Sequence, residues 1–195
     1  MNNNLLLFTF LAIVVLGCQS STQSIPQMEF KLNPEFLEAS VIRDASFKVQ
    51  YQVPKDWALV DTLSEAVLEQ VSSKIDQYDL KIKQVYFNGS LGCFLIVSDL
   101  SDFKLEEGEQ LQLKVEATLE ASKRWSAPQY TQFQYNDFIV DQFLLQDGSL
   151  VNFKLIFYQD RPQPFQFDYI LSRENYDRNL AQAVESSIGS IRIIK

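Results

Sequence analysis

Cysteine and histidine are the side chains best suited to covalent and metal chemistry, and this sequence has two cysteines and no histidine. Without histidine, a Ser–His–Asp or Cys–His nucleophile is impossible, and zinc, copper and haem sites of the usual kinds are excluded. Cys93 begins the apolar run Cys93 to Val97, which predicts a buried thiol in the core. Cys18 ends the only long apolar run of the chain and needs a different explanation.

Any other catalytic group would have to be a carboxylate, a serine or a lysine. The segment Ser98 to Asp102 lacks the spacing of a calcium-binding loop, so a turn with local side-chain-to-backbone bonds is the better prediction. No serine lies in a Gly-x-Ser-x-Gly motif, whereas Ser72 and Ser73 beside Lys74 leave a Ser–Lys pair open. The six glycines form no phosphate-binding loop. The sequence therefore predicts no catalytic residue, no cofactor-binding residue and no metal ligand.

The apolar run before Cys18 resembles the signal of bacterial lipoproteins. Leu5 to Leu16 carries no charge and is shorter than the ~20 residues that a membrane-spanning helix needs. The residues Val15-Leu16-Gly17-Cys18 resemble the lipobox, although no Lys or Arg precedes them and Leu16 is bulkier than usual. The resemblance implies that residues 1–17 are a removed signal peptide and that Cys18 is the lipid attachment site. An ordinary signal peptide, or a buried apolar helix with an incidental cysteine, is the alternative.

The residues that follow Cys18 predict how an anchor would be joined to the rest of the protein. Gln19 to Gln27 is polar, so residues 18–27 are predicted as a flexible tether and residues 28–195 as a single domain. Several acyl chains on one cysteine would hold such a domain firmly at a membrane. Because no Asp follows Cys18, the sorting rule of bacterial lipoproteins favours the outer membrane over the inner one.

The charge of the chain limits its partners. The formal net charge is −8 and the isoelectric point is about 4.6, which disfavours binding to nucleic acid or to anionic membrane surfaces. Hydrophobic residues make up 46% of the chain and aromatic residues 13%, which is sufficient for a folded core.

Hydrophobic periodicity predicts strands and helices in alternation. Strands are predicted at 47–53, 81–87, 93–97, 130–135, 138–146, 149–158 and 165–171, with an extended tail at 190–195. Helices are predicted from Asp61 or Thr62 to about Tyr78, where Glu65 provides a capping box, and over 105–124 and 175–187. The apolar spacing in 105–124 also fits a strand in part, but the Glu, Ala, Lys and Gln content of this segment favours a helix. Asp147-Gly148 predicts a hairpin with a type I′ turn. This order indicates an α+β fold in which helices cover an antiparallel sheet.

Short motifs in this pattern resemble the Mog1/PsbP-like domain. They are the strand ending in Val49-Gln50-Tyr51-Gln52-Val53-Pro54-Lys55-Asp56-Trp57, the aromatic hairpin, and the terminal Glu185 to Ile193 segment. The resemblance covers roughly residues 47–194 and implies an α/β sandwich used for binding and for assistance in assembly, without catalysis. Some members of that fold, the DcrB-like and cyanobacterial PsbP-like proteins, are themselves lipoproteins.

The aromatic segment Tyr130 to Phe138 is a candidate recognition surface, because its strand places aromatic rings on both faces. A strand covered on both sides by helices is the alternative. Together these features favour a lipid-anchored envelope domain that binds a protein partner or assists assembly of an envelope complex. A small hydrolase with a carboxylate or Ser–Lys site, and a carrier of an apolar ligand, are the competing functions.

Overall fold

The computed structural model describes residues 24–72, 74, 80–100, 110–126, 128–158 and 164–194. Its three α-helices in these ranges are α1 (Glu65–Ser72), α2 (Leu111–Ser122) and α3 (Arg178–Gly189), and two short 3₁₀ helices lie at Pro34–Phe36 and Arg173–Asn175. The strands are β1 (Ile42–Asp44), β2 (Val49–Tyr51), β3 (Ala58–Leu59), β4 (Lys81–Asn88), β5 (Cys93–Asp99), β6 (Gln129–Tyr135), β7 (Phe138–Gln146), β8 (Leu150–Tyr158), β9 (Phe165–Ser172) and β10 (Arg192–Ile193).

Seven of these strands form one antiparallel sheet in the order β3-β4-β5-β9-β8-β7-β6, and β1, β2 and β10 form a small second sheet. The predicted α+β class is therefore confirmed. The apolar run Cys93 to Val97 predicts a strand buried in the interior of a sheet, and β5 does lie between β4 and β9. The strand that begins at Phe165 takes the middle of the large sheet, because β8 and β5 pair with its two edges.

One face of the large sheet carries the phenylalanine-rich core. Alternate residues of β9 point into it, and α3 and β2 cover it with apolar side chains. The rings of Phe157 and Phe165 are nearly parallel at a centroid distance of 5.0 Å, and Phe138 meets both edge-on. Offset and edge-to-face contacts of this kind are the preferred aromatic geometries. This face is a closely packed aromatic layer.

Helices α1 and α2 cover the opposite face of the same sheet. Val71 of α1 packs on Val85, Ile96 and Ile170. Helix α2 contributes Leu111, Val115 and Leu119, which pack with Phe143, Leu145 and Ile156. The 3.6-residue spacing of these apolar positions explains why the segment is a helix rather than the period-two strand that it could also have formed. The result is three layers with the large sheet in the middle.

The ends of the helices differ from the predictions. Helix α1 begins at Glu65, and the hydroxyl of Ser64 accepts from the backbone N–H of Val67 at 3.4 Å, so neither Asp61 nor Thr62 is the cap. The predicted continuation through Ile75 and Tyr78 lies outside the described residues, as do residues 105–109 before α2. Helix α3 begins three residues later than predicted, because the Asp177 carboxylate caps it through the N–H of Leu180.

The predicted hairpin at Asp147 is present, but its turn type was wrong. Asp147 pairs with Leu150 through a backbone hydrogen bond, which puts Gly148 and Ser149 at the centre of the turn, and neither has the positive φ that a type I′ turn requires. The Asp147 carboxylate instead accepts from the backbone N–H groups of Ser149 and Leu150. Burial raises the pKa of Asp147, but these bonds and one from Arg124 outweigh it and hold that pKa below its usual value.

Candidate partner-binding edge

The residues that the sequence suggests for lipid attachment, catalysis or metal binding do not form a common site in the described structure. Cys18, the predicted lipid attachment site, lies outside the described residues. Cys93 is fully buried in β5, its thiol lies 3.4 Å from the carbonyl of Leu91, and burial raises its pKa. The prediction of a core cysteine is confirmed. A thiol that burial keeps protonated is a poor nucleophile.

The other predicted groups are similarly dispersed. Ser98 is buried in β5, Asp99 lies 3.8 Å from the ammonium of Lys83, and Ser101 and Asp102 are outside the described residues.

The Ser–Lys candidate is not assembled among the described residues. Ser72 ends α1, Ser73 is not described, and the Lys74 ammonium lies 5.3 Å from the ring centroid of Phe94. Within the described part of the chain, no group of three or more Asp, Glu or Cys side chains is arranged to hold a metal ion. The described helices also include none long and apolar enough to span a membrane.

A cleft of about 350 Å³ opens beside Trp57 at the end of the sheet where α3 begins. Several of its polar lining residues are engaged in local structure. The side-chain oxygen (Oδ1) of Asn88 accepts from the hydroxyl of Ser90 and from the backbone N–H of Leu91. The side-chain amide of Asn175 donates to the Leu91 carbonyl, and the carboxylate of Asp177 caps α3. These groups hold a turn and a helix end in place, so they do not converge on a bound molecule.

Strand β6 provides a different kind of site, because it is the edge of the large sheet. It pairs with β7 over its full length, from Gln129 opposite Leu144 to Tyr135 opposite Phe138. A two-residue turn with Asn136 at φ 51° joins the two strands. This hairpin fixes β6 at the end of the sheet, and its second edge faces away from β7.

The N-terminal segment covers one end of that second edge. The N–H of Gln134 donates to the carbonyl of Pro26, and the N–H of Met28 donates to the carbonyl of Gln134, both at 2.8 Å. Phe30 then packs on the rings of Phe133 and Tyr135, with centroids 5.7 and 5.0 Å apart. Pro26 and Gln27 were assigned to the flexible tether, but they already belong to the folded unit.

Beyond Gln134, the described residues leave the rest of this edge unpaired. Backbone groups of a strand alternate in direction, so Tyr130 and Gln132 present their N–H and C=O groups on the same side as Gln134. The described residues place no backbone group opposite them. The strand Gln129–Tyr135 contains no charge and no proline, although natural edge strands are commonly protected by such residues. An uncharged open edge is a ready-made place for another strand to add.

The aromatic segment predicted as a recognition surface is largely structural. Phe133 and Tyr135 are buried on the phenylalanine-rich face, and the Tyr135 hydroxyl donates to the carbonyl of Gly189 at 2.7 Å. Only Tyr130 is half-exposed among the tyrosines and phenylalanines of β6. The alternative of a strand covered by helices on both sides is also wrong, because Thr131 on one face of β6 and Gln134 on the other are exposed. Its backbone is more available for recognition than its rings.

The buried carboxylate of Asp141 holds the side chains of Tyr130 and Gln132 in place through hydrogen bonds. Asp141 of β7 accepts hydrogen bonds from the hydroxyl of Tyr130 at 2.8 Å, the amide of Gln132 at 2.9 Å and the hydroxyl of Tyr158 at 2.7 Å. Burial raises the pKa of Tyr130, and the bond to Asp141 and the nearby charges of Asp141 and Glu116 raise it further. Tyr130 therefore stays neutral and keeps its ring at the edge.

A second polar cluster lies in the middle of the same face of the sheet. Lys154 of β8 and Asp168 of β9 are directly opposite each other, with an ammonium-to-carboxylate distance of 2.8 Å and no exposed side-chain surface. The amides of Asn152 and Gln166 also donate to Asp168. Sequence reasoning missed this cluster. Its available signal was the placement of polar residues at alternate positions of two apolar strands, in Leu150 to Tyr158 and Phe165 to Ile170.

Comparison with known proteins finds likeness only among solved structures, where five chains match. No known protein family matches this sequence, and no curated protein matches it. The solved solution structure of the cyanobacterial PsbP (CyanoP) from Synechocystis sp. PCC 6803 is similar to 79% of this chain and 91% of its own length, at 11% sequence identity and a TM-score of 0.48. The Mog1/PsbP-like resemblance stays a prediction at these values.

Proposed function

We propose that this protein is a lipid-anchored domain of the bacterial cell envelope that binds a protein partner, or assists assembly of an envelope complex, without catalysing a reaction. The observation that carries the proposal is the open edge of β6, where Tyr130 and Gln132 present backbone groups and no side chain is charged. Such edges favour association with another extended chain.

The two competing functions have less support. A hydrolase would need catalytic groups arranged together within reach of a substrate. The Lys154–Asp168 pair has no exposed side-chain surface, and Asn88, Asn175 and Asp177 in the cleft beside Trp57 hold local structure. A carrier of an apolar ligand would need an empty apolar space. The phenylalanine-rich core is instead closely packed, with ring centroids between Phe138, Phe157 and Phe165 5.0–5.9 Å apart.

The anchor is part of the proposal and rests on the sequence Val15 to Cys18. Lipidated Cys18 would hold the domain at the membrane, with the outer membrane favoured over the inner one, while the net charge of −8 would keep the folded part away from anionic headgroups. This arrangement leaves the β6 edge available to envelope proteins.

Cys18→Ala is expected to abolish incorporation of labelled palmitate and to release the protein from the membrane fraction, because the thiol that carries the lipid is gone. Cys93→Ala is the matched control and should leave labelling unchanged. Labelling and membrane retention of the Cys18→Ala protein would contradict the anchor.

The partner is tested by isolating the full-length protein from membranes in mild detergent after chemical cross-linking. We expect one envelope protein to co-purify in constant proportion, and no hydrolysis of ester, glycoside, peptide or phosphate substrates above background. A hydrolytic activity that survives purification and disappears on changing one carboxylate or lysine would contradict the proposal. So would the absence of any co-purifying protein.

A further inference from the structure

We propose that the open part of β6 binds an extended, basic segment of a partner protein as an eighth strand of the large sheet. This inference rests on the proposed function and specifies the chemistry of the partner. It depends on three observations: how the chain's own N-terminal segment binds this edge, where that binding stops, and which charges lie beside the open part.

The N-terminal segment demonstrates that the edge accepts an added strand. Gln27 forms a parallel bridge with Gln134, and the two flanking backbone hydrogen bonds are both 2.8 Å long. These are ordinary sheet bonds. The next outward-facing residues of β6, Gln132 and Tyr130, have the same geometry because they lie two and four residues away on the same strand.

Pro26 explains why the chain does not cover Gln132 itself. If the parallel pairing continued by one step, the carbonyl of Gln132 would accept from the backbone N–H of residue 26. Proline has no N–H, so this bond cannot form and pairing ends at Gln134. None of the described residues pairs with the four outward backbone groups of Gln132 and Tyr130, so these groups can bind a segment of another chain.

Acidic side chains lie beside the unpaired edge of β6 at Tyr130. They favour a partner segment with positive charge. Glu116 and Glu120 of α2 lie one helical turn apart and line a small cleft with Tyr130 and Phe143. Like charges at this spacing repel, and among the described residues neither carboxylate forms an ion pair. An added strand would run about 5 Å beyond β6, and its side chains beside Tyr130 would point toward these carboxylates. Lys or Arg at those positions would relieve the repulsion.

The same charges argue against a second copy of this chain as the occupant. Pairing of two β6 edges would bring Glu116 and Glu120 of both copies together, on domains whose net charge is already −8 each. Repulsion between two such surfaces disfavours the dimer. A basic segment of another protein has the opposite sign and fits the site.

The test uses the full-length protein in detergent micelles and two nine-residue peptides, one alternating Lys with Val and the other alternating Glu with Val. Fluorescence anisotropy measures binding, and amide hydrogen exchange locates it. We expect the lysine peptide to bind and to slow exchange at Tyr130 and Gln132, and the glutamate peptide to bind at least about 10-fold more weakly, an effect that added salt reduces.

Two variants distinguish the contribution of the Gln132 backbone N–H to peptide binding from that of the Gln132 side chain. Gln132→Pro removes the outward N–H and is expected to weaken binding of the lysine peptide by about 10-fold or more. Gln132→Ala loses the same bond to Asp141 but keeps the N–H, so it should bind within about 3-fold of the wild type. Because the Gln132 N–H faces away from β7, the proline variant should remain folded, which circular dichroism verifies.

Equal binding of the two peptides, no binding of the lysine peptide, unchanged binding by Gln132→Pro, or a concentration-dependent dimer would overturn the inference. A different result would contradict the proposed function itself. If Gln132→Pro still co-purifies with an envelope protein, partner binding stands and its placement on β6 is wrong. If the wild type co-purifies with nothing, the proposed function itself is wrong.

Discussion

Lys154→Ala is expected to lower the free energy of unfolding by about 3–5 kcal/mol, because it leaves the carboxylate of Asp168 buried without its cation. Neither side chain of the pair has exposed surface, and the two charged groups are 2.8 Å apart. The amides of Asn152 and Gln166 would still donate to Asp168, but they carry no net charge. Urea denaturation followed by tryptophan fluorescence measures the loss.

The matched control replaces the whole pair. Lys154→Met combined with Asp168→Leu removes both charges and keeps most of the volume, so its loss should be well below that of Lys154→Ala alone. A loss of less than about 1 kcal/mol for Lys154→Ala would contradict the assignment of a buried, mutually dependent pair.

Phe165→Ala is expected to cost about 3–5 kcal/mol of unfolding free energy, the range for loss of a large aromatic side chain from a packed core. Phe165 is fully buried at the start of the central strand β9. Its ring contacts those of Phe47, Phe138, Phe157 and Phe167 at centroid distances of 5.0–5.9 Å. Removing it leaves a cavity among rings that cannot all move inward.

Two controls accompany this variant in the same denaturation experiment. Phe165→Leu should cost less than Phe165→Ala, because it keeps part of the buried volume. Leu113→Ala changes a side chain of α2 that is 53% exposed and should stay within about 0.5 kcal/mol of the wild type. A similar loss for Phe165→Ala and Leu113→Ala would contradict the packed aromatic core.

The sequence predicts helices and strands well where the hydrophobic pattern persists over many residues. Phe138 to Gln146 and the Cys93 strand are examples, because burial on one or both faces leaves a direct pattern in the chain. The segment 47–53 also alternates between buried and more exposed residues, yet only Val49–Tyr51 is a regular strand. The backbone on either side bonds to other groups, as when Gln52 accepts from the hydroxyl of Ser187.

The candidate site could not be predicted in the same way. Whether β6 is an edge or an interior strand depends on its neighbours in space. The sequence order of the strands does not show that β9, rather than β6, pairs with β5 and so leaves β6 at the end of the sheet. The role of Pro26 follows only once Gln27 is known to lie beside Gln134. The Lys154–Asp168 pair likewise depends on a register between β8 and β9 that periodicity does not specify.

The most direct test of partner binding at β6 is photocross-linking in intact cells. A photoreactive phenylalanine analogue replaces the exposed Thr131 of β6 in one strain and the exposed Leu113 of α2 in another. The proposal predicts a single cross-linked envelope protein at position 131, absent at position 113 and lost when Gln132→Pro is added. Equal cross-linking at both positions, or a position 131 product that persists in the Gln132→Pro background, would contradict it.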